Sequence, residues 1–203
     1  MSQEFETLNS NTRKEKFLIF FKENKKKLIL FIFVLILLLI SYFTLSELND
    51  RKTIETADKY NKAIIAYEEG KLSNSKEVFE EIIKRKHKTY SVLAFYHLLD
   101  NNIISSNQEI NLYFDFIINE INLDQEFKNL IIYKKALFNS EYVSENELIG
   151  LLNPVIKSES VWRSHGLILI AKYLINKNEN QKAKEFLDNI INSENANINI
   201  KNE

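Results

Sequence analysis

Residues 24–47, NKKKLILFIFVLILLLISYFTLSE, place three lysines before an uncharged run of 18 residues, Leu28 to Leu45. At a rise of 1.5 Å per residue, a helix of that length spans roughly 27 Å, close to the ~30 Å hydrocarbon core of a bilayer. A core helix of a soluble domain would normally have a polar side, and this run has none. The stretch therefore predicts a transmembrane helix.

The same run does not fit a cleaved secretory signal. It is longer than the usual ~7–15 residue apolar region of a signal peptide, 27 residues precede it, and no A-x-A site follows it. Tyr42, Phe43 and Leu45 are bulky where a signal peptidase requires small residues. The sequence favours an anchor that is retained.

The flanking charges predict the orientation of this anchor. Acidic Glu47 and Asp50 follow the run beside Arg51 and Lys52, whereas four lysines precede it: Lys22, Lys25, Lys26 and Lys27. The positive-inside bias then predicts a short cytoplasmic segment at residues 1–27 and a transmembrane helix at 28–45. It also predicts that a helical domain at 46–193 and a disordered tail at 194–203 lie outside the cytoplasm.

Composition excludes several classes of function. The 203 residues include one Pro, three Gly and no Cys, which favours helices and rules out glycine-rich nucleotide loops, disulfides, thiolate metal sites and a lipoprotein cysteine. Residues 1–27 hold seven basic and four acidic side chains, which leaves 20 basic and 24 acidic ones for the remainder. A mildly acidic body is a poor binder of nucleic acid.

The sequence after Lys52 predicts a series of helical hairpins. Apolar residues recur at helical spacing, and short breaks rich in Asn, Ser and Asp separate the runs. These breaks fall at 70–74, 101–107, 122–124, 139–144, 158–160 and 176–180. About eight helices result, and short connections make sequential helices antiparallel. Pro154 predicts a kink or an early helix stop.

The first and last hairpins share a rhythm of small residues, a turn residue that tolerates left-handed backbone (Gly70 or Asn178), and an apolar residue on the second helix. This resembles the tetratricopeptide repeat of about 34 residues. The pairs at 90–122 and 124–158 fit this rhythm less well. The expected fold is all-α, with one N-terminal transmembrane helix followed by a tetratricopeptide-like α-solenoid of about four helix hairpins. Its repeat-packing positions are Ala63, Gly70, Ser75, Phe79, Ala94, Ala171, Ala183 and Leu187.

The surface of such a stack is the predicted place of function. The candidate groove residues are Tyr60, Tyr67, Tyr90, Tyr96 and Tyr113, although spacing alone does not decide which of them face a groove. His97 and Asp100 lie one helical turn apart and are the only pair whose spacing suggests catalysis. Pairs with this spacing more often lie on a helix surface without a catalytic role. No metal or cofactor motif is present, so no cofactor is predicted.

Four stretches follow one another along the chain: FFKENKKKL (20–28), YNKAIIAYEEGK (60–71), TYSVLAFYHL (89–98) and VWRSHGLILIAKYLINKNENQKAKEFLDNII (161–191). Their order resembles that of the YfgM family, ancillary SecYEG translocon subunits of Gram-negative inner membranes. The resemblance covers about residues 17–191. Its most specific part is the juxtamembrane element FFKEN, with Phe20, Phe21, Glu23 and Asn24. The chain departs from the family in having Lys25 after that asparagine, where a glycine is frequent, and in lacking glycine in the membrane helix.

The resemblance implies a non-enzymatic scaffold in the inner membrane, with its N-terminus in the cytoplasm and its helical domain in the periplasm. It implies partners as well: the SecYEG translocon, a PpiD-type membrane-anchored chaperone, and unfolded or emerging exported proteins. The family is also linked to envelope stress signalling through the cytoplasmic segment. Two alternatives remain open, namely a scaffold for cytochrome maturation or cell-wall machinery and an enzyme that uses His97 and Asp100.

Overall fold

The computed structural model describes residues 15–16, 18–71 and 74–192. The predicted tail at 194–203 lies outside these ranges, as do residues 1–14 of the predicted cytoplasmic segment and residues 72–73 of the first predicted break. Residues 18–23 are helical. Eight longer helices follow: α1 (Lys25–Glu68), α2 (Ser75–Lys84), α3 (Tyr90–Asp100), α4 (Asn107–Glu120), α5 (Gln125–Asn139), α6 (Glu145–Ile156), α7 (Arg163–Asn176) and α8 (Asn180–Ile191). The described residues contain no strand, which confirms the all-α prediction.

The chain divides into two compact units between Glu55 and Thr56, within α1. In the first unit α1 carries a window that is apolar and long enough to cross a membrane, and none of that window is buried. Its backbone polar groups are satisfied within the helix, as crossing a bilayer requires. The hydroxyl of Thr44 also donates internally, to the Ile40 carbonyl at 2.8 Å.

The second unit consists of four helix pairs. In each pair we call α1, α3, α5 and α7 the first helix and α2, α4, α6 and α8 the second. Three helices begin at side-chain caps that the polar breaks supply: Ser106, Asp124 and Ser144 accept from the backbone amides of Glu109, Phe127 and Glu147. Each cap satisfies a backbone donor that the first turn of a helix leaves unpaired. The breaks in the sequence thus become the turns of a helical-repeat fold.

Left-handed residues end four of these helices. Gly70 and Asn178 have φ of +66° and +61°, as their shared position in the sequence rhythm predicts. Lys86 and Asn102 adopt the same region, with φ of +54° and +53°. After Gly70 the amide of Lys71 donates to the Ala66 carbonyl at 2.9 Å, which closes the end of α1.

The core of the second unit forms two apolar clusters. One extends from Ala63 to Ile131 and the other from Ala136 to Ala183, so they meet on α5. Of the repeat-packing positions, five are buried: Ala63, Phe79, Ala94, Ala171 and Ala183. Ser75 and Leu187 are half-buried, and Gly70 is an exposed turn residue.

A polar seam joins α4 to α5 where the two clusters meet. Asn111 and Asn139 exchange amide hydrogen bonds of 2.9 and 2.8 Å, and Lys135 Nζ lies 2.6 Å from Asp115 Oδ1. The seam borders an open cavity of about 420 Å³ that Val143 and Gly150 also line. Every side chain that forms the seam has a partner, so the seam fixes how the second pair meets the third.

Helices α6 and α7 approach closely at Gly166. A Cβ atom built on Gly166 would lie 3.0 Å from Ile156 Cγ2 and 3.5 Å from Leu152 Cδ2. Helix α6 ends at Ile156, two residues after Pro154, in line with the early stop expected there. The short α6 and the glycine on α7 together allow this contact.

The three glycines of the chain predict three different outcomes on substitution by alanine. Gly150→Ala should raise the unfolding free energy by about 0.5–1 kcal/mol, because Gly150 is helical and nothing lies near its added methyl. Gly70→Ala should lower it by about 1–2 kcal/mol, because only its positive φ opposes a side chain. The unfolding free energy of Gly166→Ala should be about 1–3 kcal/mol lower than that of Gly150→Ala, because the added methyl overpacks the contact with α6.

Denaturant unfolding of the full chain in detergent micelles, followed by circular dichroism, measures these differences. Gly150→Ala serves as the matched control, since it shares the helical setting of Gly166 and the empty surroundings of Gly70. Equal stabilities for Gly150→Ala and Gly166→Ala would contradict the close approach of α6 and α7.

Candidate interaction surface on the first helices

Polar contacts connect successive second helices. Lys76 lies 2.6 Å from Glu109, the Tyr113 hydroxyl donates to Glu80 at 2.8 Å, and both contacts join α2 to α4. Lys86, just after α2, donates to Glu120 at the end of α4, and Lys182 of α8 pairs with Glu145 of α6 at 2.9 Å. The hydrogen-bonded partners are 33, 34 and 37 residues apart, which is the spacing of a repeat of about 34 residues.

The first helices α3, α5 and α7 each carry an exposed apolar side chain. Leu93 of α3, Leu137 of α5 and Ile175 of α7 are 41%, 41% and 46% exposed. We define the first-helix stripe as these three residues with four half-buried neighbours on the same helices: Tyr96, Leu130, Tyr133 and Ile168. Extended exposed apolar surfaces mark interaction sites, whereas single exposed apolar side chains are common.

The stripe lies on the side of each first helix that points away from the second helices. Leu93 is two positions from Phe95, whose ring lies 4.8 Å from the Phe114 ring of α4. Leu137 is two positions from Lys135, which pairs with α4, and Ile168 is two positions from Gly166, which contacts α6. Two positions along an α-helix place side chains about 160° apart. Each of the three helices therefore carries its stripe residues on the side opposite a neighbouring second helix.

Aromatic contacts between neighbouring first helices border the stripe. The rings of Tyr60 and Tyr90 are 5.7 Å apart and those of Tyr67 and His97 are 4.8 Å apart, which connects α1 to α3. Tyr133 lies 5.9 Å from both Trp162 and His165, which connects α5 to the start of α7. These contacts hold α1 beside α3 and α5 beside the start of α7.

The structure divides the five candidate groove tyrosines into three groups. Tyr60, Tyr67 and Tyr90 are half-buried in the contact between α1 and α3. Tyr96 belongs to the stripe, and burial, with a smaller contribution from Asp100, raises its pKa to about 12. Tyr113 lies elsewhere, among the second helices, where burial and then its hydrogen bond to Glu80 raise the pKa of its phenol.

Sequence reasoning missed most of the stripe. Leu93, Leu137 and Ile175 lie within apolar runs of the sequence, and nothing in the sequence distinguishes Tyr133 from the other tyrosines. A usable signal exists, since each exposed member is flanked by polar residues one helical turn away: Thr89 before Leu93, Lys134 before Leu137, and Lys172 before Ile175. One such residue would carry no information, because single exposed apolar side chains are common; the signal is its recurrence on three first helices.

The juxtamembrane residues are exposed in the first unit. Lys22, Lys25, Lys26, Lys27 and Glu23 all lie on the surface. Phe20 and Phe21 are 55% and 50% exposed, with ring centroids 6.2 Å apart at an edge-to-face angle. The side-chain amide of Asn24 donates to the Phe20 carbonyl at 3.0 Å.

The candidate catalytic pair is not joined by a hydrogen bond. His97 Nδ1 lies 3.3 Å from the side-chain amide nitrogen (Nδ2) of Asn101. His97 Nε2 is buried without a hydrogen-bond partner among the described residues. The imidazole packs 4.2 Å from the Phe79 ring. No group of three or more His, Asp or Glu side chains within residues 15–16, 18–71 and 74–192 could hold a metal ion.

Comparisons of the chain with protein-family models, curated proteins and solved structures found no match.

The burial of His97 predicts a loss of stability in mild acid. Burial lowers the pKa of His97 below its ordinary value of 6.5, against a smaller opposing effect of Asp100 and Glu68. The unfolded chain then binds a proton more readily than the folded chain. Stability should be complete above pH 6.5 and should fall as the pH drops through that value toward the folded pKa.

Thermal unfolding of the full chain in micelles between about pH 7.5 and 5 tests this expectation, because these values bracket the ordinary histidine pKa. His97→Phe should weaken the pH dependence, and the remaining dependence should reflect His87, whose pKa burial also lowers. An unchanged pH profile in His97→Phe would contradict the prediction.

Proposed function

We propose that this chain is a membrane-anchored periplasmic scaffold of the SecYEG translocon. It binds a PpiD-type chaperone and emerging exported proteins through the first-helix stripe. The observation that carries the proposal is the stripe itself, an apolar and aromatic surface repeated on successive first helices of a unit joined to a candidate membrane helix. The order of sequence features that resembles the YfgM family supports the choice of partner.

The contrast between the two sides of the second unit supports binding through the stripe. Among the second helices, Lys76, Glu80 and Tyr113 already use their polar groups on one another. Leu93, Leu137 and Ile175 remain exposed at 41–46%. Burial of apolar area is the main driving force for association, and clusters of aromatic and aliphatic side chains supply most of it.

The chemistry of the stripe suits extended or unfolded polypeptide. An emerging exported chain presents apolar side chains that have no partner until it folds. The stripe offers leucine, isoleucine and tyrosine contacts with few fixed polar demands, which favours binding many sequences weakly over binding one sequence tightly. A helical unit held at the membrane also raises the local concentration of such clients near the translocon.

In-cell photocrosslinking tests the proposed function. A photoreactive phenylalanine analogue at Leu93 or Leu137 should capture SecYEG, a PpiD-type chaperone or exported proteins, identified by mass spectrometry. The same analogue at Leu112 is the matched control, because Leu112 is a leucine on second helix α4 and is 64% exposed. With the analogue at Leu137, Leu93→Glu should reduce capture at least about tenfold by placing a charge in the contact, and Leu137→Glu should do the same with the analogue at Leu93. Leu112→Glu should leave capture at both positions unchanged.

The possible outcomes test the binding surface and the identity of the partner separately. Capture of cytochrome-maturation or cell-wall proteins at Leu93 and Leu137 would support the stripe and overturn the translocon assignment. Equal capture at Leu112, or no capture at either stripe position, would overturn the stripe.

Cysteine labelling tests the proposed orientation, because the chain has no cysteine of its own. A membrane-impermeant maleimide added to cells with a permeabilised outer membrane should modify Gln181→Cys at once. Glu23→Cys should react only after the inner membrane is lysed, because the positive-inside bias predicts a cytoplasmic position. Both native residues are exposed, so burial does not confound the comparison. The reverse pattern would place the helical unit in the cytoplasm.

A further inference from the structure

A second apolar band precedes the candidate membrane helix. Leu18, Ile19, Phe20 and Phe21 are 71%, 55%, 55% and 50% exposed. Six polar residues, KENKKK at 22–27, separate this band from the apolar run that starts at Leu28. The band is too short to cross a bilayer, and the apolar run is already long enough without it.

A straight helix would leave the band in water. At 1.5 Å per residue, Leu18 lies about 15 Å along the axis from Leu28. Bilayer headgroup regions add roughly 5–8 Å on each side of the hydrocarbon core. If Leu28 begins the membrane-spanning stretch, four consecutive large apolar side chains would project beyond the headgroups. Exposed apolar runs of this kind are normally covered.

The helix is interrupted between the band and the membrane run. Helical geometry breaks at Asn24 and resumes at Lys25. The Phe20 carbonyl accepts both from the Asn24 backbone amide and from the Asn24 side-chain amide, each at 3.0 Å. The Leu28 amide still donates to the Asn24 carbonyl at 2.9 Å, so the interruption is confined to one residue. Asn24 is therefore the one position between the band and the membrane run where regular helix is missing, and a bend is easiest there.

Four lysines stand at this bend with a single acidic neighbour, Glu23. All four are exposed, and no ion pair joins them to another residue in the part of the chain that the structure describes. Residues 22–27 thus carry a net charge of +3 directly beside the end of the apolar run. Anionic headgroups attract lysines in this position.

We propose that residues 18–27 form an interfacial element that docks on anionic phospholipid. The chain bends at Asn24, so that the band at 18–21 lies in the headgroup–acyl boundary of the leaflet that holds the N-terminal end of the membrane helix. The lysines bind phosphate groups of the same leaflet. The inference rests on the membrane-spanning helix of the proposed function, and the continuity of the band with that helix selects the lipid surface as its partner.

Single-cysteine labelling of the full chain in vesicles tests this docking. A polarity-sensitive fluorophore on Leu18→Cys should be quenched by shallow spin-labelled lipid in vesicles of phosphatidylcholine with phosphatidylglycerol. In pure phosphatidylcholine, or with all four lysines changed to Gln, the quenched fraction should fall. Each Lys-to-Gln change should lower the ratio of the docked to the undocked form of residues 18–27 by about fivefold. The matched control changes four exposed lysines of the second unit instead: Lys62, Lys134, Lys157 and Lys184.

Two further labels separate the possible failures. Leu37→Cys, in the apolar run, should be quenched by deep spin-labelled lipid, and Leu112→Cys, exposed on α4, should stay accessible to an aqueous quencher. If Leu18→Cys is as accessible to water as Leu112→Cys while Leu37→Cys is deep, the docking is overturned and the anchor stands. That result would mean that the band awaits a protein partner. If Leu37→Cys is accessible to water, the membrane-spanning helix itself is overturned.

Discussion

Each helix pair of the second unit has an apolar side that it cannot bury alone, and the rest of the fold depends on neighbouring pairs burying it. Phe79, Phe95 and Phe114 come from three successive helices and are at most 1% exposed. Their burial holds one pair against the next. One side of each helix is buried against a neighbouring pair. The sides that stay exposed therefore determine what the protein can contact.

Two unlike surfaces remain. The second helices connect to one another by ion pairs and by the hydrogen bond of Tyr113 to Glu80, so their polar groups are already occupied. The first helices connect through aromatic rings and leave Leu93, Leu137 and Ile175 exposed. Exposed apolar side chains lose area to water when a partner covers them, so this is the surface where association would be most favourable.

The fold could be read from the sequence, because it depends on features that are local in the chain. The apolar run, the helical periodicity and the Asn-rich and Ser-rich breaks each lie within a few residues of one another, and Gly70 and Asn178 mark helix ends by their own backbone preference. The stripe could not be read in this way. Tyr113 and Tyr96 have similar local surroundings, and only the packing of α2 against α4 places Tyr113 among the second helices. The closeness of Gly166 to α6 likewise depends on distant residues.

The polar seam between α4 and α5 has a consequence for how precisely the helical unit is assembled. Apolar side chains can slide past one another with little loss, whereas two amides that exchange hydrogen bonds satisfy each other in one register only. Asn111 and Asn139 therefore select one register of α4 against α5, beside the rings of Phe114 and Phe138, whose centroids are 6.1 Å apart. A shift by one helical turn would leave the buried amide of Asn139 without its partner on α4. The seam thus excludes alternative ways of stacking the two halves of the unit.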